Sequence, residues 1–117
     1  LTSNICSQCL LPGLRFSIKE KNPYEELANR RDCIDFGYPI WDQGGHLFRC
    51  PHCGYSVNAD INAAGNLVNK FFGLWKIQYS REKSVYSWDD GNGKQIFDAK
   101  AAFDSWADNV KHRHDDH

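Results

Sequence analysis

A chain of 117 residues with 41% hydrophobic side chains can build one small domain, or a small module with an attached helical part, and it is too apolar to be disordered throughout. Its net charge of −1 excludes a globally basic nucleic-acid binder, so any nucleic-acid contact needs a local patch or surfaces outside this chain. No apolar run is long enough to span a bilayer and no secretory leader is visible, so no membrane partner is expected and a reducing, cytoplasmic compartment is the default.

The first residue is Leu1 rather than Met, and we read the sequence as a piece of a longer protein. Leu1–Cys9 reads as a loop leading into a tight turn, Cys6-Ser7-Gln8-Cys9. Residues 10–49 form a long insert before a second such turn. Within it, Asn22-Pro23-Tyr24-Glu25 predicts a helix start: Asn22 caps, Pro23 suits the first helical position and Glu25 stands where a capping-box partner belongs. That helix is expected to run to about Arg31. Ile40-Trp41 and Leu47-Phe48 flank Gly44-Gly45, which predicts a hairpin carrying Cys50 next to Cys6.

After the second turn, Ile61, Ala64, Leu67, Val68, Phe71 and Phe72 recur at spacings of three and four, the apolar face of a helix that Gly73 ends. Small residues Ala63, Ala64 and Gly65 allow another backbone to approach closely. Leu74–Tyr79 and Ser84–Trp88 read as extended, and Asp89-Asp90-Gly91-Asn92-Gly93 as a turn without calcium-loop spacing. A last helix is expected over Asp98–Lys111, with Phe103, Trp106, Ala107 and Val110 buried, and a frayed polar end at His112–His117. Trp75, Trp88 and Trp106 are expected to form a small tail core.

Two Cys-x-x-Cys turns place four thiolates where they can close a tetrahedron around zinc, so Cys6, Cys9, Cys50 and Cys53 are the expected zinc ligands, one ion per chain. Four thiolates leave no open coordination position, so this zinc is structural rather than catalytic. In Cys50-Pro51-His52-Cys53-Gly54, Gly54 can adopt a positive φ just after the second ligand. The 40-residue separation exceeds the usual spacing of roughly 15–20, so the insert must fold back. Four free thiols or a redox dithiol are the alternatives. Cys33 reads as a buried thiol, and His46 and His52 as surface or supporting residues.

Asp60 stands at the predicted helix start, where local sequence alone favours a plain N-cap. In context the motifs carry more. Thr2-Ser3-x-x-Cys6-x-x-Cys9, then Phe48-x-Cys50-Pro51-x-Cys53-Gly54, then Ala59-Asp60-x-Asn62-Ala63-Ala64-x-Asn66-Leu67 resemble the C-terminal region of transposon-encoded TnpB-type nucleases and of type V CRISPR effectors. The resemblance covers about Thr2 to Phe72. It implies an α+β fold: a small zinc ribbon of hairpins and knuckles followed by helices, a fragment of a RuvC-like (RNase H-like) nuclease domain. The implied division is a ribbon over 1–57 with its insert at 10–49, a third RuvC segment over 58–73 and a tail over 74–117.

The same resemblance implies that Asp60 is the third catalytic carboxylate and a magnesium ligand in an RNA-guided DNA endonuclease of the prokaryotic cytoplasm, with DNA and guide RNA as partners through the parent protein. Where the family often has a further acid two positions earlier, this chain has Asn58. Asn62 is placed to orient Asp60 or to cap the helix. One aspartate cannot build a two-metal site, so the isolated chain is expected to be inactive. The competing reading is a non-catalytic zinc ribbon that binds nucleic acid or protein.

Weaker signals remain. Arg15, Lys19, Lys21, Arg30 and Arg31 make the insert locally basic around Phe16 and Tyr24, but Glu20, Glu25, Glu26 and Asp32 are interspersed. Arg30, Arg31 and Arg49 are the candidate nucleic-acid contacts by the resemblance. His112, His114 and His117 with Asp115 and Asp116 read as a terminal tail rather than a metal site.

Overall fold

Leu14, Phe16 and Ile18 alternate with Arg15 and Ser17, the period of a strand with one covered face. In the computed structural model, which describes residues 2–18, 39–42 and 44–115, these residues form β1 (Leu14–Ile18) at the centre of the ribbon. β2 (Pro39–Trp41), β3 (Leu47–Arg49) and β4 (Ser56–Asn58) complete an antiparallel sheet in the order β2-β1-β3-β4. The expected hairpin between Ile40-Trp41 and Leu47-Phe48 is therefore not formed. Both segments pair with β1 instead, Trp41 opposite Phe16 on one side and Leu47 opposite Phe16 on the other. The five-residue alternation of β1 offers a hydrogen-bonding edge to each, and Gly45 lies so close to the Phe16 backbone that a Cβ there would collide with it. The predicted helix over residues 22–31 and Cys33 lie outside the described residues.

β4 runs directly into α1 (Ala59–Phe71), and a short 3₁₀ turn at Thr2–Asn4 packs against that helix. Gly73, at φ +66°, ends the helix as expected, with Gly73 N–H donating to Lys70 C=O at 3.0 Å and Leu74 N–H to Asn69 C=O at 3.0 Å. A second sheet follows: β5 (Gln78–Ser80), β6 (Val85–Asp89) and β7 (Lys94–Phe97), antiparallel in that order. β6 and β7 join through the predicted turn, where Asp89 Oδ1 accepts Gly91 N–H and Asp90 Oδ1 accepts Asn92 N–H, both at 2.8 Å. α2 (Ala99–Asp115) begins after Asp98, whose carboxylate accepts Ala101 N–H at 3.1 Å, and it continues past Lys111.

The main core joins the two sheets. Ile5, Leu14, Phe16 and Leu47 of the ribbon are buried together with Tyr86, Phe97 and Phe103 of the C-terminal part. Phe16 meets Trp106 at 4.9 Å and Phe103 at 6.2 Å between ring centroids, and Trp41 meets Phe103 at 5.4 Å. Trp75, Trp88 and Trp106 are half-buried around this shared core, so they do not form a tail core of their own. A second, smaller core of Cys6, Phe48, Cys50 and Ala59 lies under the cysteine turns. Among the described residues no helix is long and apolar enough to cross a membrane.

The buried face of α1 is not the apolar one. Ile61, Ala64, Leu67, Val68, Phe71 and Phe72 are all exposed, Phe71 at 84%. Ala59, Asn62 and Asn66 are the buried residues of this helix. The polar face wins because its amides meet backbone groups of residues 3–7, which an apolar side chain would leave unsatisfied.

Candidate metal centre and the helix that carries Asp60

The two cysteine turns repeat one backbone pattern. Cys6 N–H donates to Leu11 C=O and Cys50 N–H to Tyr55 C=O, both at 2.8 Å. Leu10 N–H returns to Cys6 C=O at 2.8 Å and Gly54 N–H to Cys50 C=O at 2.9 Å. In each turn the residue after the second cysteine is left-handed, Gly54 at φ +80° and Leu10 at +66°. The first turn thus makes the second turn's geometry with a leucine in the strained position.

Together the turns bring Cys6, Cys9, Cys50 and Cys53 into one cluster, with all four Sγ atoms within 4.8 Å of one another. Cys6 Sγ lies 3.6 Å from Cys53 Sγ, and Cys9 Sγ lies 3.4 Å from Cys50 Sγ. A tetrahedron of metal–sulfur bonds near 2.3 Å has edges of about 3.8 Å, so the sulfurs fit such an ion with little adjustment. These two contacts join one turn to the other. The cluster can hold a metal ion. Among the described residues it is the one group of three or more His, Cys, Asp or Glu side chains placed to do so.

Cys6 and Cys50 are buried, Cys9 is half-buried and Cys53 is exposed. Without a cation, burial pushes the Cys9 thiol up to about 11. Cys50 is also raised, first by hydrogen bonding with Cys6 and then by burial. Such thiols stay protonated at neutral pH unless a cation replaces the protons. His52 and His46 stand outside the ligand group. The His52 ring packs on Phe97 at 5.4 Å and on Trp88 at 6.1 Å, and partial burial lowers its pKa. An open groove of about 730 Å³ runs beside Cys9, with Leu10, His52, Ile77 and Trp88 on its walls.

Asp60 lies in the first turn of α1 and is exposed. It is not the cap. Asn58 caps the helix, its side-chain oxygen accepting Asp60 N–H at 2.8 Å, so the carboxylate is left available for another role. Asp60, Ala64, Leu67 and Phe71, spaced four, three and four apart, fall along one line of the helix surface. The acid therefore heads the bare apolar stripe.

Asn62 neither orients Asp60 nor caps α1; it is fully buried on the opposite side. Its Oδ1 accepts Ser7 N–H at 2.9 Å, and its Nδ2 donates to Ile5 C=O at 2.7 Å and Ser3 C=O at 3.1 Å. Asn66 Nδ2 also donates to Ile5 C=O, and Asn69 Nδ2 donates to Ser7 C=O at 3.0 Å. Asparagine at spacings of four and three, in phase with the small residue Gly65, was the available signal for this buried polar face.

Arg49 lies on β3. It donates to Ser56 Oγ at 3.2 Å, and its guanidinium lies over the Trp106 ring at 5.5 Å. Arg15 is held by Gly45 C=O at 2.8 Å and Ser3 Oγ at 2.7 Å, which braces β1 to the segment before β3 and to the N-terminal turn. Arg30 and Arg31 lie outside the described residues, as do the side chains of His112, His114 and Asp115 and the whole of Asp116 and His117.

Comparison with curated proteins and with solved structures finds no match. The family model for the Cas12f1-like TNB domain matches residues 1–67, more than half of the chain and the span of both cysteine turns and Asp60. The likeness to the zinc-ribbon region of TnpB-like and type V effector proteins is borne out, and the chain belongs to the Cas12f1-like TNB domain family.

Proposed function

We propose that this chain is the C-terminal zinc ribbon and third RuvC segment of an RNA-guided, magnesium-dependent DNA endonuclease. Residues 1–57 are the ribbon, 58–73 the catalytic segment and 74–117 a tail that braces both. Cys6, Cys9, Cys50 and Cys53 hold one structural zinc ion. Asp60 is a magnesium ligand in a two-metal site whose other carboxylates come from the rest of the parent. DNA and guide RNA are its partners through that parent, with Arg30, Arg31 and Arg49 on the nucleic-acid path, in a prokaryotic cytoplasm.

The observation that carries this reading is the position of Asp60 at the head of an exposed apolar stripe, Ile61, Leu67, Val68 and Phe71. A soluble protein rarely leaves such a face bare, and a partner that covers it also approaches the carboxylate. The stripe packs against the remainder of the nuclease fold, and α1 sets Asp60 at its edge. Magnesium bound there supplies water activation and stabilisation of the leaving oxygen. Asp60 contributes one fixed oxygen ligand, and the helix limits its movement.

One aspartate cannot build a two-metal site by itself, so the isolated chain is expected not to cut nucleic acid. Asp60→Ala in the full-length parent abolishes cutting and leaves target binding intact, whereas cysteine substitutions disorder the ribbon. Retained cutting in Asp60→Ala favours a non-catalytic binding ribbon instead.

A further inference from the structure

We infer that Asn62, Asn66 and Asn69 are positioning residues that tie the place of the Asp60 helix to occupancy of the cysteine metal centre. An apolar helix face can slide on its neighbour, because burial of apolar surface is non-directional. The inward face of α1 is built differently. Its side-chain amides bond the backbone of Ser3, Ile5 and Ser7, so translation of α1 breaks several directed bonds together. Asn62 and Asn66 are fully buried, so water cannot replace the lost partners without opening the packing.

The Ser7 groups belong to the first cysteine turn, and the Ser3 and Ile5 carbonyls lie on the segment that leads directly into it. Ser7 lies between Cys6 and Cys9. Its N–H is taken by Asn62 and its C=O by Asn69. Gly65 presses on the same residue: a Cβ there would stand 2.9 Å from Ser7 Cβ, so the helix and turn have no slack between them. A turn closed by a metal holds these groups in fixed positions. A turn released from metal moves them, and α1 must follow or leave buried amides unbonded. Insofar as α1 places a catalytic carboxylate, this rests on the proposed function; the link between turn and helix does not.

Amide hydrogen exchange on the 117-residue chain tests the link. In the zinc-loaded wild type, amides over residues 63–70 are protected, and chelation speeds their exchange by about tenfold or more, well beyond any change in β5–β7. In Asn62→Ala, with metal content verified by native mass spectrometry, those amides exchange fast with zinc bound and lose most of their response to chelation. A general loss of stability instead speeds exchange everywhere. Should Asn62→Ala not fold, Asn69→Ala at the half-buried end of the ladder gives a smaller loss of the same metal response. Wild-type α1 protection unchanged by chelation, or a full metal response in both variants, overturns the inference. Asp60→Asn retains the metal response if the link is real, so its loss of cutting in the parent reports on the proposed function separately.

Discussion

Gly65 faces Ser7 across the joint between α1 and the first cysteine turn, with only 2.9 Å between a Cβ built at Gly65 and the Ser7 Cβ. Glycine in mid-helix forgoes about 1 kcal/mol of helix propensity relative to alanine. Here the close approach outweighs that loss. Gly65→Ala is therefore expected to destabilise the chain by about 1–2 kcal/mol in denaturant unfolding despite its better propensity. Adding Ser7→Gly to Gly65→Ala should recover much of the loss. An increase in stability from Gly65→Ala alone would show that the joint has slack.

The second cysteine turn offers a purely conformational test. Gly54 has φ +80° and nothing within 4 Å of a Cβ built on it. Gly54→Ala meets no clash, so its cost is the left-handed backbone itself, about 1–2 kcal/mol. Chemical unfolding of the metal-loaded chain measures it, and the zinc stoichiometry should remain one per chain.

Metal loading has a predictable pH dependence. The raised Cys9 and Cys50 thiols keep their protons at neutral pH, so zinc must displace them. Zinc affinity should rise with pH, and loading in weak buffer should release protons measurable by calorimetry in buffers of different ionisation enthalpy. The metal-free fold follows the opposite trend. A folded thiol with a raised pKa keeps a proton that the unfolded chain gives up, so stability falls as pH climbs from the usual thiol range towards about 11. Metal-free stability that grows with pH over this range would contradict the assignment.

Phe103 tests whether ribbon and tail share one core. It is buried among Phe16, Trp41 and Trp106. Phe103→Ala should cost about 3–5 kcal/mol. Exchange protection should fall in β1 as well as in β6. Loss confined to residues after 74 would show two independent units.

Much of this architecture was legible because its signals are local. Cysteine spacing marked the metal cluster, Gly73 the end of α1, Asp89–Gly93 the turn of the second sheet, and Phe103 with Trp106 the inward face of α2. The errors arose where partners are distant. Gly44-Gly45 looks like a hairpin turn, yet β1 lies between the two segments and pairs with both. The short alternation of Leu14, Phe16 and Ile18 was the cue for that strand. The periodicity of Ile61, Leu67 and Phe71 located a helix but not the direction of its packing. Periodicity reports that a face is apolar, not that its partner belongs to the same chain. The asparagine face is buried because backbone carbonyls of a turn more than fifty residues away need donors, a requirement no window of neighbouring residues contains.

The decisive experiment is anomalous scattering from crystals of the full-length parent, collected at the zinc edge and, after manganese replaces magnesium, at the manganese edge. Zinc is expected at the centre of Cys6, Cys9, Cys50 and Cys53, and manganese in direct contact with the Asp60 carboxylate beside carboxylates from the rest of the parent. A manganese site formed without Asp60, with that side chain left in solvent, would contradict it.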